Sequence, residues 1–145
     1  MKRVFLAILC CILLIGSIPV ASFAAMGGGE IAVPLYNNTT KTTSNFTIND
    51  SGVASISATC IGKTGVTTSI CVEIIIEKQN MNGTWTAVNI GTTNNVWIDT
   101  STNPILLANH TATLSHGTYR AVFNYTVSGS GGADDVIESI IERTY

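Results

Sequence analysis

Three stretches of the chain alternate apolar and polar residues with a period of two. Residues 70–77 put Ile and Val on one side, opposite Glu73 and Glu77, and residues 54–60 and 119–127 repeat the pattern. A period of two is that of a β-strand with one face on a core and one face in water. Most of the apolar residues in 70–76 are β-branched, which favours extended backbone. The chain is therefore expected to pair strands into sheets and to bury one face of each sheet.

Turn signals rich in Gly and Asn separate these stretches at short intervals, as in residues 49–52, 62–65, 82–83 and 129–132. Short strands separated by such turns are typical of a β-sandwich. The predicted strands span residues 43–49, 53–61, 69–79, 84–90, 95–99, 105–114, 117–128 and 134–144. The last segment also fits a helical stripe through Val136, Ile137, Ile140 and Ile141. A strand is favoured there because residues 129–132 look like a hairpin connection.

The N-terminus has the anatomy of a cleavable export signal. Lys2 and Arg3 precede an apolar run over residues 4–18, and small residues in Ser22-Phe23-Ala24 suit a cleavage site. A membrane anchor is the alternative, but the run is shorter than the roughly 20 residues that a span needs. We therefore expect a signal peptide over 1–24, cleavage near Ala24 and secretion, followed by an extended arm over 25–41 and a domain over 42–145.

The charge of the exported chain excludes one class of partner. Without Lys2 and Arg3, five basic residues remain against nine acidic ones, a net charge of about −4. A chain so poor in Lys and Arg lacks the electrostatic footprint of a nucleic-acid-binding protein. No second long apolar run follows the signal, so no membrane span is expected after cleavage.

Several short motifs occur in an order that resembles a known family. They are Pro34-Leu35-Tyr36-Asn37-Asn38, the 62–65 loop, Glu77-Lys78-Gln79 with Gly83-Thr84-Trp85, Leu114 to Arg120, and Tyr145. The chain resembles small secreted domains of unknown function from Gram-positive bacteria, which are similar to immunoglobulin-like or fibronectin type III-like sandwiches. The resemblance implies an immunoglobulin-like antiparallel β-sandwich of about seven to eight strands and an extracellular site, but no activity.

Tyr119 lies in a Leu-x-x-Gly-x-Tyr pattern that also has a physical interpretation. In immunoglobulin-like sandwiches a Tyr at the start of a late strand bonds its hydroxyl back to the preceding corner. Tyr119 is therefore the predicted structural corner, and an ordinary core tyrosine is the alternative.

Cys60 and Cys71 are the only cysteines outside the export signal. Thiols oxidise outside the cell, so a disulfide between them is expected. A zinc site with His110 and His116 would lack the close ligand pairs of compact sites, and a redox pair would have two intervening residues rather than ten. By strand parity, however, Cys60 lies on the core face and Cys71 lies on the face of Glu73. Two separate thiols therefore remain the alternative to a disulfide.

Other chemistry-bearing residues have structural interpretations. His110 shares parity with apolar neighbours and is expected to be a half-buried structural histidine, whereas His116 lies in a turn and is expected to be solvated. Asp134 and Asp135 could hold calcium, but a polar turn is favoured because no further oxygen ligands lie nearby in sequence. No catalytic motif, metal-binding helix or phosphate loop is found, so we expect no cofactor.

The two tryptophans bear on carbohydrate binding. Trp85 follows the Asn82-Gly83 turn and is expected to be mostly buried against its hairpin. Trp97 shares parity with Asn95 and Asp99, so it is expected on the polar face as the candidate ligand contact. The predicted function is a secreted, non-catalytic binding or structural module with an unknown extracellular or envelope partner. The alternatives are a carbohydrate-binding module using an exposed Trp, and a secreted enzyme or enzyme inhibitor.

Overall fold

The computed structural model of the protein describes residues 36–145. The predicted signal peptide, its cleavage site near Ala24 and the arm up to residue 35 lie outside the described residues. Within 36–145 the chain forms eight strands and one short 3-10 turn. They are β1 (Thr39–Ile48), β2 (Val53–Gly62), β3 (Thr67–Gln79), β4 (Trp85–Ala87), the 3-10 turn (Thr93–Asn95), β5 (Trp97–Ser101), β6 (Ile105–Thr113), β7 (Thr118–Gly129) and β8 (Asp135–Thr144).

The strands form two antiparallel sheets, so the predicted antiparallel β-sandwich is confirmed. The first sheet has the order β1-β2-β6, and the second has β3 paired with β7, which in turn pairs with β8. β4 and β5 both pair with the other edge of β3, at Glu77–Gln79 and at Ile70–Ile74 respectively. Residues 135–144 form a strand, as predicted, and not the alternative helix. No helix within 36–145 has the length and apolar character needed to cross a membrane.

The core lies between the two sheets and follows the period of two. Along β3 the side chains of Ile70, Val72, Ile74 and Ile76 are each at most 1% exposed. Opposite them, the first sheet contributes Phe46 and small residues of β2, and β7 contributes its aromatic residues. The largest fully buried side chains include Tyr119, Tyr125, Phe46 and Phe123. Fully burying one large apolar side chain contributes about 1.5–3 kcal/mol, so this layer is the main source of stability.

The two cysteines lie in different sheets, Cys60 on the core face and Cys71 on an outer face, so the predicted disulfide is wrong. Both are free thiols. Cys60 points into the core from β2, beside Leu106 of β6 in the register. Cys71 lies between the core residues Ile70 and Val72 on β3, so its side chain points to the outer face of the second sheet. A disulfide needs Cβ atoms about 3.5–4.5 Å apart, whereas stacked sheets are about 10 Å apart.

The start of β1 is fixed by a buried carboxylate from β8. Asp135 is 6% exposed, and its two oxygens accept hydrogen bonds from the backbone N–H groups of Asn37, Asn38 and Thr39, each at 2.8 Å. The side chain of Asn38, which is fully buried, donates to the carbonyls of Val127 and Ala133. These bonds hold the chain to the sandwich from residue 37 onward. β1 therefore begins at Thr39, ahead of the predicted domain boundary at residue 42.

Candidate functional site

The outer face of the first sheet is a surface of hydroxyl and amide side chains. It is formed by the residues of β1, β2 and β6 that alternate with the core residues. The register places Thr47, Ser55 and Thr111 in one row across the sheet, and Asn45, Ser57 and Asn109 in the next. We call this surface the polar face; it comprises Thr43, Asn45, Thr47, Ser55, Ser57, Thr59, Asn109, Thr111 and Thr113. None of these side chains carries a charge.

A shallow trough runs over the central strand of the polar face. Its volume is about 370 Å³, and its lining includes Asn45, Ser55, Ser57, Asn109 and Thr111. The trough exists because the central strand β2 presents short Ser side chains between longer side chains on β1 and β6. Adjacent strands are about 4.7–4.9 Å apart, so Asn45 and Asn109 face each other across Ser57 at about twice that distance.

One end of the same surface is apolar. The register puts Ile61 of β2 beside Lys41 and Ile105, and Thr59 beside Leu107. Ile105 and Leu107 are 55% and 69% exposed. The polar face therefore ends in a small aliphatic patch with a single lysine at its edge.

A cluster of Trp97, His110 and Asp99 joins the two sheets at their edge strands. His110 of β6 lies in the register beside the core residue Ile56, and its Nε2 is 2.7 Å from Oδ2 of Asp99 on β5. The rings of Trp97 and His110 stack at 4.7 Å between centroids. The side chains of His110 and Asp99 are 21% and 30% exposed. His110 is thus half-buried, and its contacts tie β5 to β6.

The predicted orientation of Trp97 is wrong. Trp97 pairs in the register with Ile74 and Asp99 pairs with Val72, so this face of β5 points inward. Trp97 packs half-buried against the core, while Ile98 is 58% exposed. The prediction failed because it assumed that Asp99 faces solvent. Asp99 faces inward instead, because it bonds His110 across the edge of the sandwich. His110 covers one face of the Trp97 ring, which leaves that face closed to a ligand.

Trp85 is also placed differently from the prediction. It is half-buried on the outer face of the second sheet, where it pairs with the exposed Gln79. The guanidinium carbon of Arg120 lies 4.6 Å from the centre of its ring, and Arg120 also bonds Glu77. An edge strand of three residues offers Trp85 little core to enter, so a cation on the neighbouring surface covers the ring instead.

Tyr119 forms a corner with the segment that precedes β7. Its hydroxyl donates to the carbonyl of Ser115 at 2.7 Å, and its ring is 1% exposed. His116 in the same corner is exposed and stacks on the ring of Tyr145 at 4.2 Å. The backbone of Gly117 exchanges hydrogen bonds of 2.9 Å in both directions with Tyr145. The corner therefore holds the end of the described chain as well.

The residues weighed as metal ligands are not brought together. Among residues 36–145, no group of three or more His, Cys, Asp or Glu side chains has a geometry that could hold a metal ion. Asp135 faces three backbone N–H groups, which are donors, whereas calcium needs oxygen acceptors. Burial by itself would raise the pKa of Asp135, but the hydrogen bonds from Asn38, Asn37 and Thr39 outweigh it and lower the pKa below its usual value.

The two thiols are in environments that suppress their reactivity. Burial, and then the charge of Asp135, raises the pKa of Cys60 to about 11. Burial, followed by the charges of Glu73 and Asp99, also raises the pKa of Cys71. The thiolate is the reactive form of cysteine, so neither residue has the electropositive surroundings of a catalytic cysteine.

Comparison with known proteins finds no matching family model, no matching curated protein and no matching solved structure. The sequence analysis did not predict the trough or the contacts of Asp135. The alternation that predicts the strands also identifies the polar side chains of the outer face. It does not show which strands are neighbours, so the row of Asn45, Ser57 and Asn109 appears only in the sheet.

Proposed function

We propose that the protein is a secreted, non-catalytic β-sandwich that binds an extracellular partner through the polar face. The proposed partner is an uncharged polysaccharide of a cell envelope or surface. The observation that supports this proposal is the trough over Ser55 and Ser57, lined by Asn45 and Asn109. The predicted export signal supports an extracellular site, as does the resemblance of the sequence to secreted domains.

The chemistry of the trough suits a neutral sugar. Hydroxyls and amides each offer donors and acceptors, as the hydroxyls of a sugar do, and the Ser, Thr and Asn side chains of the trough carry no charge that would demand a charged partner. The gap between Asn45 and Asn109 is of the size of one sugar ring. Four or five neutral hydrogen bonds, each with a net contribution of about 1 kcal/mol, correspond to a dissociation constant near 1 mM. Binding of a single trough to the polymer is therefore expected in the millimolar range.

Affinity electrophoresis in gels that contain glucan, mannan or xylan tests the proposal. At least one of these polymers should retard the mature chain. Ser57→Tyr fills the trough and should abolish the retardation. Thr126→Tyr is the matched control, because Thr126 is equally a strand residue but lies exposed on the outer face of the second sheet. Equal retardation of the two variants, or no retardation by any neutral polymer, would refute the proposed surface.

The alternative contact through Trp97 makes a different prediction in the same assay. Trp97→Phe leaves the trough intact, so retardation should persist if the polar face is the site. Loss of retardation in Trp97→Phe with full retention in Ser57→Tyr would move the site to the edge cluster.

Export has its own test. Mass spectrometry of the culture medium should find a chain that starts near Ala25. A chain that keeps Met1 and stays with the cell pellet would contradict both the signal peptide and an extracellular function.

A further inference from the structure

A second cleft lies between the end of β3, the short strand β4 and the corner before β7, and it meets the polar face at Thr113. Its volume is about 450 Å³, and its lining includes Lys78, Thr86, Val88, Thr113 and Tyr119. A volume of this size lies within the range of small-molecule sites, which begins near 300 Å³. The cleft shares no lining residue with the trough.

Lys78 is fixed in this cleft by neutral partners. Its Nζ donates to Ser115 Oγ at 2.9 Å and to the carbonyl of His116 at 3.0 Å. The ammonium lies 5.4 Å from the centre of the Tyr119 ring. Gly117 has φ +155°, and a Cβ there would come within 2.7 Å of Lys78 Cε. The corner thus packs closely on the lysine stem and holds the ammonium in place.

The charge of Lys78 has no carboxylate partner in the described part of the chain. Within residues 36–145, Arg120 pairs with Glu77, and the other close contact of this kind joins the His110 ring to Asp99. An ammonium has three N–H donors, and the bonds to Ser115 and His116 use two of them. Lys78 therefore has one N–H donor without an acceptor, and its positive charge in the cleft has no carboxylate partner.

The hydroxyl groups around the cleft add donors. Tyr119 gives its proton to the Ser115 carbonyl, so the 3.1 Å contact between the two hydroxyls is donated by Ser115 Oγ. Asn80 Nδ2 donates to Thr84 Oγ1 and Thr86 Oγ1, at 2.9 and 2.8 Å. Thr86 Oγ1 is thus an acceptor in that bond, and its own proton is free. The groups left to meet a ligand include one N–H of Lys78 and the hydroxyl proton of Thr86.

We propose that this cleft binds a carboxylate group. One ammonium N–H and one hydroxyl can each donate to one oxygen of a carboxylate, and the single positive charge matches its single negative charge. A phosphate would be expected to recruit Arg residues and more donors. Ala87 and Val88 give the cleft a carbon-lined wall for the body that carries the carboxylate. The C-terminal carboxylate of a peptide and the carboxylate of an acidic sugar share this chemistry.

An NMR titration of the mature chain distinguishes these sources. The probes are N-acetylalanine, which mimics a peptide C-terminus, and glucuronate, an acidic sugar. Their matched controls are N-acetylalaninamide and glucose, which lack the carboxylate. Backbone amide signals of residues 78–88 and 115–119 should shift with one or both carboxylates and saturate in the millimolar range. Saturation by one carboxylate alone identifies the source, and saturation by both supports a general carboxylate site.

Three variants test the assigned donors. Lys78→Gln should weaken carboxylate binding at least tenfold, and Lys78→Arg should retain it. Lys41→Gln is the matched control, because Lys41 is exposed on the first sheet and should leave binding unchanged. Should Lys78→Gln fail to fold, Thr86→Val removes the other donor from an exposed edge position and should weaken binding several-fold. The proposal would be overturned if the neutral analogues caused equal shifts or if neither carboxylate caused any shift. Unchanged carboxylate binding in Lys78→Gln, or in Thr86→Val if that variant is used instead, would also overturn it.

Discussion

Replacement of Asp135 by Asn perturbs the contact that holds the start of β1 to β8. Asp135 is buried, and its carboxylate accepts three backbone N–H groups at 2.8 Å. Oδ2 accepts two of these bonds and Oδ1 accepts one. The amide oxygen of the variant can occupy the position of Oδ2, so its NH₂ group then faces the N–H of Asn37. The substitution keeps the shape of the side chain and removes its charge and one acceptor.

The magnitude follows from these bonds. A hydrogen bond to a charged group contributes about 1.5–3 kcal/mol, and a buried N–H left without a partner costs about 1–3 kcal/mol. The variant keeps two of the three bonds, and the N–H of Asn37 that loses its partner is only partly buried, so the lower ends of both ranges apply. Their sum predicts that Asp135→Asn lowers the free energy of unfolding by about 2.5 kcal/mol at pH 7. Typical domains unfold at 5–15 kcal/mol, so the variant should still fold.

The same residue predicts a pH dependence. The pKa of Asp135 is lowered in the folded protein, so the unfolded chain binds the proton more readily. The stabilisation is therefore complete above the ordinary carboxyl pKa of about 4. It decreases as the pH falls below that value, and it is lost once the pH passes through the lowered folded pKa. The difference between the wild type and Asp135→Asn should shrink over the same interval.

Urea unfolding followed by tryptophan fluorescence, at pH 7 and in steps below pH 4, measures both effects. Asp134→Asn is the matched control, because its neighbour Asp134 is exposed. Exposed substitutions usually change stability by no more than about 0.5 kcal/mol. If the two variants had the same unfolding free energy at pH 7, the structural role assigned to the Asp135 carboxylate would be wrong.

Three further predictions concern the corner, the thiols and the tryptophans. Tyr119→Phe should lower the free energy of unfolding by about 1 kcal/mol, which is the net contribution of one hydrogen bond. An unchanged free energy in urea unfolding would show that the hydroxyl of Tyr119 does not stabilise the corner. Alkylation without reductant should modify both cysteines in urea. In the folded protein it should modify Cys71 alone, and slowly, because Cys60 is buried. An intact disulfide in mass analysis would contradict this prediction. Acrylamide should quench Trp85→Phe, which retains Trp97, only partially, and quenching equal to that of free tryptophan would contradict its packing against the core.

Local alternation and the turn signals between the strands were together sufficient to predict the strands. All eight predicted strands are present, because a period of two is a property of neighbouring residues along one strand. The same alternation placed Cys60 on the core face and Cys71 on the outer face. The expectation of a disulfide, which came from the compartment rather than from the residues, overrode that correct parity. Hydrogen bonding of Tyr119 to its corner could also be anticipated, since its partner Ser115 is only four residues away.

Contacts between sheets could be decided only by the tertiary structure. Trp97 and Asp99 lie on the inner face of an edge strand because His110 of β6 offers a stacking ring and a bonding partner. Nothing near Trp97 in sequence signals that partner. Likewise, Asp135 meets the N–H of Asn38 across 97 positions of the chain. Alternation specifies which side chains share a face of a strand, whereas the pairing of strands and the packing of sheets determine what that face contacts.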